Sequence, residues 1–96
     1  MKVRWTLLAT ADFNEAKHFI ASEHPVAARR LAGDLTKLLM RLRRYPYLGK
    51  PGREENLREI YLSRFPYMVA YQVKDNNIDI IRFLHDRQSW TPTDES

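Results

Sequence analysis

Residues 57–85, LREIYLSRFPYMVAYQVKDNNIDIIRFLH, decide the fold. The stretch divides into three strand-like segments, 57–63, 67–74 and 78–85, rich in Ile, Val, Tyr and Phe. Arg64-Phe65-Pro66 separates the first two. Asp75-Asn76-Asn77 separates the last two and has hairpin-turn composition, because Asn tolerates positive φ. In the first segment Ile60 and Leu62 alternate with Glu59 and Tyr61. In the last, alternation places Ile78, Ile80 and Leu84 on one face and Ile81 and Phe83 on the other. A strand apolar on both faces is central and covered twice.

Upstream, residues 45–56 (YPYLGKPGREEN) hold two Pro and two Gly and read as a loop. Before it, Ala28, Leu31, Leu35, Leu38, Leu39 and Leu42 form one apolar helical stripe, with Arg29, Arg30, Lys37, Arg41 and Arg44 on the opposite face. Pro25 suits the first position of this helix and Tyr45-Pro46 ends it. At the usual rise, 25–44 spans about 30 Å. Leucines at this spacing are read as packing residues, so no cofactor is expected. An earlier helix carries Phe13, Ala16 and Ile20 on one face and stops before Pro25. Thr10 or Asp12 is its expected cap, with Glu15 completing a capping box. Residues 2–8 (KVRWTLL) read as a short strand. The order β-α-α-β-β-β predicts an α+β fold: an N-terminal strand and a helical hairpin packed on a mostly antiparallel four-stranded sheet. Residues 1–90 form one domain, with Trp90 closing one end of the core, and 91–96 a flexible tail.

A chain of 96 residues allows one domain. Its 44% hydrophobic and 29% charged residues are those of a globular protein. No apolar run approaches the roughly 20 residues that cross a bilayer, and the start lacks a signal peptide's apolar centre, so a cytoplasmic location and no membrane partner are expected. Cys is absent, which excludes disulfide and thiolate chemistry, and three His are too few for a His-rich metal cage. The net charge of +4 is uneven: residues 41–64 hold 7 basic and 3 acidic side chains. Such a segment attracts phosphates or an acidic protein segment, or is simply a solvated helix end and loop.

Several short pieces, in order, resemble a known family. They are Ala9, Asp12 and Phe13; Pro25 and Ala28; Pro46, Leu48 and Gly49-Lys50-Pro51-Gly52-Arg53; Arg58-Glu59; the alternating Pro66-Tyr67, Val69, Tyr71 and Val73; and Ile80 through Trp90, close to a His-x-Arg-x-x-Trp ending. Together they resemble the ParE branch of the RelE/ParE superfamily, toxins of type II toxin–antitoxin systems. The resemblance implies a small ParD-like antitoxin whose acidic C-terminal segment wraps the toxin. Grooves beside Leu31, Leu35, Leu38 and Leu42, and an exposed sheet edge, are its expected landing zones.

ParE-like members poison DNA gyrase by binding; RelE-like members cut messenger RNA on the ribosome. Cutting needs an acid, a base and cations around the phosphate. RelE-like relatives place cations at positions that correspond here to Glu59, Tyr61 and Met68, side chains that cannot hold a phosphate transition state. Gyrase inhibition without catalysis is therefore the favoured reading, with Arg58, Arg64, Arg82, His85, Arg87 and Trp90 as candidate target-binding residues. Two alternatives remain. One is a ribosome-dependent endoribonuclease using His85, Arg64 and Arg87, with Glu54 or Glu55 in support; the other is a non-toxic binding module on the same fold.

Overall fold

In the computed structural model, which describes residues 1–88, the first strand is short. β1 (Lys2–Trp5) pairs in parallel with the last strand, Val3 opposite Ile78 and Trp5 opposite Ile80. The chain then turns directly into α1 (Leu7–Ala21). Thr6 makes that turn. Its hydroxyl accepts from the Ala9 N–H at 3.0 Å and donates to the Ile81 carbonyl at 3.1 Å, while its own N–H donates to the Ile80 carbonyl. The cap is therefore Thr6, not Thr10 or Asp12, and 6–8 leave the strand. A hydroxyl that caps a helix and ties it to the sheet starts α1 here, and Leu7 and Leu8 are themselves good helix formers.

α2 (Pro25–Arg44) follows a three-residue link, starts at Pro25 as expected, and packs against α1. Ala28, Leu31, Leu35, Leu38 and Leu42 face inward. The four leucines are 0–5% exposed, inside the main core with Ala9, Val69, Tyr71, Ile78, Ile80 and Phe83. Their side chains are not offered at the surface; the expected landing zone is the grooves beside them. The leucines are already covered by α1 and the sheet, each contributing about 2 kcal/mol of hydrophobic stabilisation.

The sheet has five strands, not four, in the order β1-β5-β4-β3-β2. The added strand is β2 (Lys50–Pro51), inside the stretch read as loop; it pairs antiparallel with β3 (Arg58–Tyr61). An edge position tolerates Pro51, because its missing N–H is not needed there. β4 (Tyr67–Lys74) and β5 (Asn77–His85) form the expected hairpin, but its turn is only Asp75 and Asn76, both with positive φ; Asn77, read as part of the turn, pairs with Lys74 and opens β5.

The alternation in β5 fails half-way. Tyr71 pairs with Ile80, but Ala70 pairs with Arg82, so β5 carries one extra residue there. The bulge flips the side-chain parity beyond it. Ile78, Ile80 and Phe83 all join the helix-side core, while Ile81 and Leu84 join a second cluster on the other face with Leu57, Met68 and Ala70. The two-sided apolar character of the central strands is as expected; the membership of the two faces is not.

Candidate partner-binding surface

The basic residues divide by what already holds them. Arg82, on β5, meets Asp12 of α1 through two bonds, Nε to Oδ2 at 2.7 Å and Nη2 to Oδ1 at 3.0 Å; the same carboxylate accepts the Phe83 N–H. Both side chains are largely buried. Asp12, expected at a cap, instead pins α1 to the bulged strand. Arg64, after β3, makes the same fork with Asp34 of α2, at 3.0 and 2.6 Å, on the surface. The guanidinium holds the Asp34 carboxyl below its ordinary range. Arg82 and Arg64 are thus engaged as struts.

Arg58 serves a loop. Its Nη1 donates to the Gly49 carbonyl at 2.6 Å and the Tyr47 carbonyl at 3.3 Å, and its guanidinium lies 5.0 Å from the Tyr47 ring centre. The same loop is clamped from below. The fully buried Tyr71 hydroxyl donates to the Pro46 carbonyl and accepts from the Gly49 N–H, both at 2.8 Å. Burial pushes the Tyr71 phenol up, against the opposing pull of the Gly49 N–H and the Arg58 charge. Gly49 is required here, because a Cβ would sit 2.7 Å from the tyrosine oxygen.

His85 ends β5, with its ring edge-on to Tyr67 at 5.4 Å. Its Nδ1 accepts the Arg87 N–H at 3.1 Å and lies 3.2 Å from the Asp86 carboxylate. Beside it a hollow of about 260 Å³ is lined by Asp12, Glu15, Phe19, Tyr67, Phe83 and Gln88. Arg87 is exposed, and Trp90 lies outside the described residues. The five described candidates therefore do not gather around one strand. Arg58 opens β3 and Arg64 follows it, whereas Arg82 and His85 sit on β5, with β4 between.

The strand positions that a cutting relative fills with cations are occupied otherwise. Glu59 is 6% exposed and takes Arg53, whose Nε and backbone N–H both stand 3.3 Å from Oε2. Met68 is 2% exposed, in the second apolar cluster. Tyr61 is surface-exposed with the Lys50 ammonium 5.2 Å from its ring. No cation comes from the side chains at these three places.

Sequence reasoning passed over a larger cleft, of about 580 Å³, at the far end of β4. Tyr47, Leu57, Arg58, Gln72 and Lys74 are among its walls. Arg58 and the excess of basic residues in 41–64 are the sequence signals that pointed there. Among the described residues no helix is long and apolar enough to cross a membrane, and no three of His, Asp or Glu cluster as metal ligands.

Residues 3–90 match the family model of the ParE toxin of type II toxin–antitoxin systems, parDE. The chain belongs to the ParE toxin family. It is 32% identical over 89 residues to the Sinorhizobium fredii protein named "Putative toxin Y4kP", an alignment covering 93% of this chain and 92% of that one. It is 33% identical over 84 residues to "Toxin RelE2" of Caulobacter vibrioides, covering 88% and 93%. A chain from the solved "Chromosomal ParDE TA system from P. aeruginosa" shares the fold, with a TM-score of 0.79 at 24% identity over 88% of this chain and 95% of that one.

Proposed function

We infer that this ParE-family toxin acts by gripping DNA gyrase without performing chemistry, and that a cognate antitoxin with an acidic C-terminal segment neutralises it. One observation carries the reading: of the three strand positions where a nuclease needs phosphate-binding cations, one holds a buried, ion-paired carboxylate, one a buried thioether and one a phenol. Such cations are worth several kcal/mol of transition-state stabilisation, so their replacement favours binding over cutting. Among the described candidates, the exposed Arg87, the half-buried His85 and Arg58, which lies against Tyr47, are left to meet a target. A toxin–antitoxin partnership is supported by the family match and by the ParDE system from which the P. aeruginosa structure comes.

The test adds purified protein to gyrase and relaxed plasmid. The expected result is lost supercoiling or accumulating linear DNA, relieved by the antitoxin encoded beside this gene. Unaffected gyrase at a tens-fold molar excess overturns the reading. Parallel reactions with messenger-programmed ribosomes address the alternative: cleavage in the ribosomal A site, abolished by His85→Ala, would assign the chain to the nucleases.

A further inference from the structure

The sheet has an internal gap. β3 pairs with β4 only from Arg58 opposite Tyr71 to Tyr61 opposite Met68, yet β4 runs on to Lys74. Beyond Tyr71, residues 72–74 have β5 on one side and no strand on the other. The cause is local. Asn56 adopts φ 70°, the Leu57 N–H turns back to the Glu54 carbonyl, and the Leu57 carbonyl is taken by the Gly52 N–H. The chain therefore swings away from β4 one residue before β3 begins.

Ladder alternation identifies the groups left over. The Leu62 N–H donates to the Tyr67 carbonyl, so Tyr67 directs its backbone groups toward β3. In an antiparallel pair every second residue does so. Val69, Tyr71 and Val73 follow, and for Val73 no β3 residue stands opposite. Its N–H and C=O face the 580 Å³ cleft, whose walls include Tyr47, Leu57, Arg58, Gln72 and Lys74. The lining holds two cations, two amides and no carboxylate. The Tyr47 ring is 65% exposed beside it.

We propose that this cleft binds an extended acidic peptide segment, which adds as a short strand against residues 72–74 of β4. Val73 exchanges a pair of backbone hydrogen bonds with the segment, Arg58 and Lys74 take its carboxylates, and Leu57 and Tyr47 receive its alternate apolar side chains. An acidic occupant follows from the charge of the walls. A second copy of this chain is disfavoured, because it would set Arg58 and Lys74 against themselves on a molecule already at +4. The cleft shares Arg58 and Tyr47 with the target surface proposed above, but its charge and its open strand edge are read without that function; only naming the segment as an antitoxin tail rests on it.

The probe is a blocked octapeptide alternating Glu with Val, titrated into the full ¹⁵N-labelled chain and followed by amide shifts. The expected result is saturable shifts centred on Leu57, Arg58, Gln72, Val73 and Lys74. Lys74→Glu, at an exposed position, should weaken binding about five- to tenfold while leaving the other amide positions unchanged. A peptide with Lys in place of Glu should not bind. The proposal is overturned if the Glu peptide gives no shifts at millimolar concentration, or if its shifts centre on the basic face of α2. Equal binding of the Lys peptide, or an unaltered affinity in Lys74→Glu, overturns it too. Stronger shifts at the same amides from oligothymidylate would make the cleft a nucleic-acid site instead. Each result is read without gyrase or an antitoxin, so it stands apart from the supercoiling assay.

Discussion

Removing one oxygen tests how the loop over β4 is held. In Tyr71→Phe the ring stays buried, but the Gly49 N–H and the Pro46 carbonyl both lose their 2.8 Å partner. Gly49 is buried, so water does not readily replace the phenol. Two hydrogen bonds at about 1 kcal/mol each, plus the desolvation left on the orphaned groups, give a loss of about 2–4 kcal/mol. In a domain of this size each kcal/mol lowers Tm by roughly 4–8 °C. Urea unfolding measures the free energy, and hydrogen exchange at the Gly49 amide localises it. Gly49→Ala attacks the same clamp from the other side, since its Cβ would lie 2.7 Å from the tyrosine oxygen and 2.8 Å from Cε1. In the double variant the shorter Phe side chain removes the closest of those contacts, so the combined loss should fall short of the sum. A Tyr71→Phe cost below about 0.5 kcal/mol, with Gly49 protection unchanged, would refute the clamp.

The two arginine forks provide a second comparison. Asp12→Ala removes both bonds of a largely buried fork and the acceptor of the Phe83 N–H, and should cost about 2–4 kcal/mol in urea midpoint analysis; Asp34→Ala, with Arg64 on the surface, should leave the midpoint within experimental scatter. Equal losses would show that burial does not govern these pairs. The pH profile of stability should have a plateau bounded on both sides. Asp79 is held below its ordinary value of 3.8 by the hydrogen bond from Arg4, so that pair's contribution is whole above about pH 4 and fades as pH falls through the depressed value. Burial raises the phenols of Tyr67 and Tyr71 above 10.0, so their contribution is whole below pH 10 and is lost as pH rises through the raised values. Absorbance near 295 nm should show two of the five tyrosines ionising late, together with unfolding. Five tyrosines ionising as one group below the unfolding transition would contradict this.

The sequence is most legible where periodicity and local chemistry agree. The leucine stripe of α2, bounded by Pro25 and Tyr45-Pro46, gives both ends of that helix. Asp75-Asn76 gives the hairpin because these residues accept the left-handed backbone of a two-residue turn. The misreadings are all cases of long-range contact overriding a local cue. Thr6 outcompetes Thr10 and Asp12 as a cap because the Ile81 carbonyl, 75 residues away, takes its proton. Lys50-Pro51 joins the sheet because β3 arrives beside it. At the candidate site, residue type alone marked Arg64 and Arg82 as free cations, and only their distant carboxylates show them to be struts.

The order of elements follows from side-chain type and spacing along the chain, because hydrophobic period and turn chemistry act over a few residues; the family was legible only as a resemblance of short motifs in order. Which cations are engaged, where β5 bulges and where β4 is left unpaired were decided on folding. Each depends on two segments meeting across as many as 75 residues, and no local interaction encodes that.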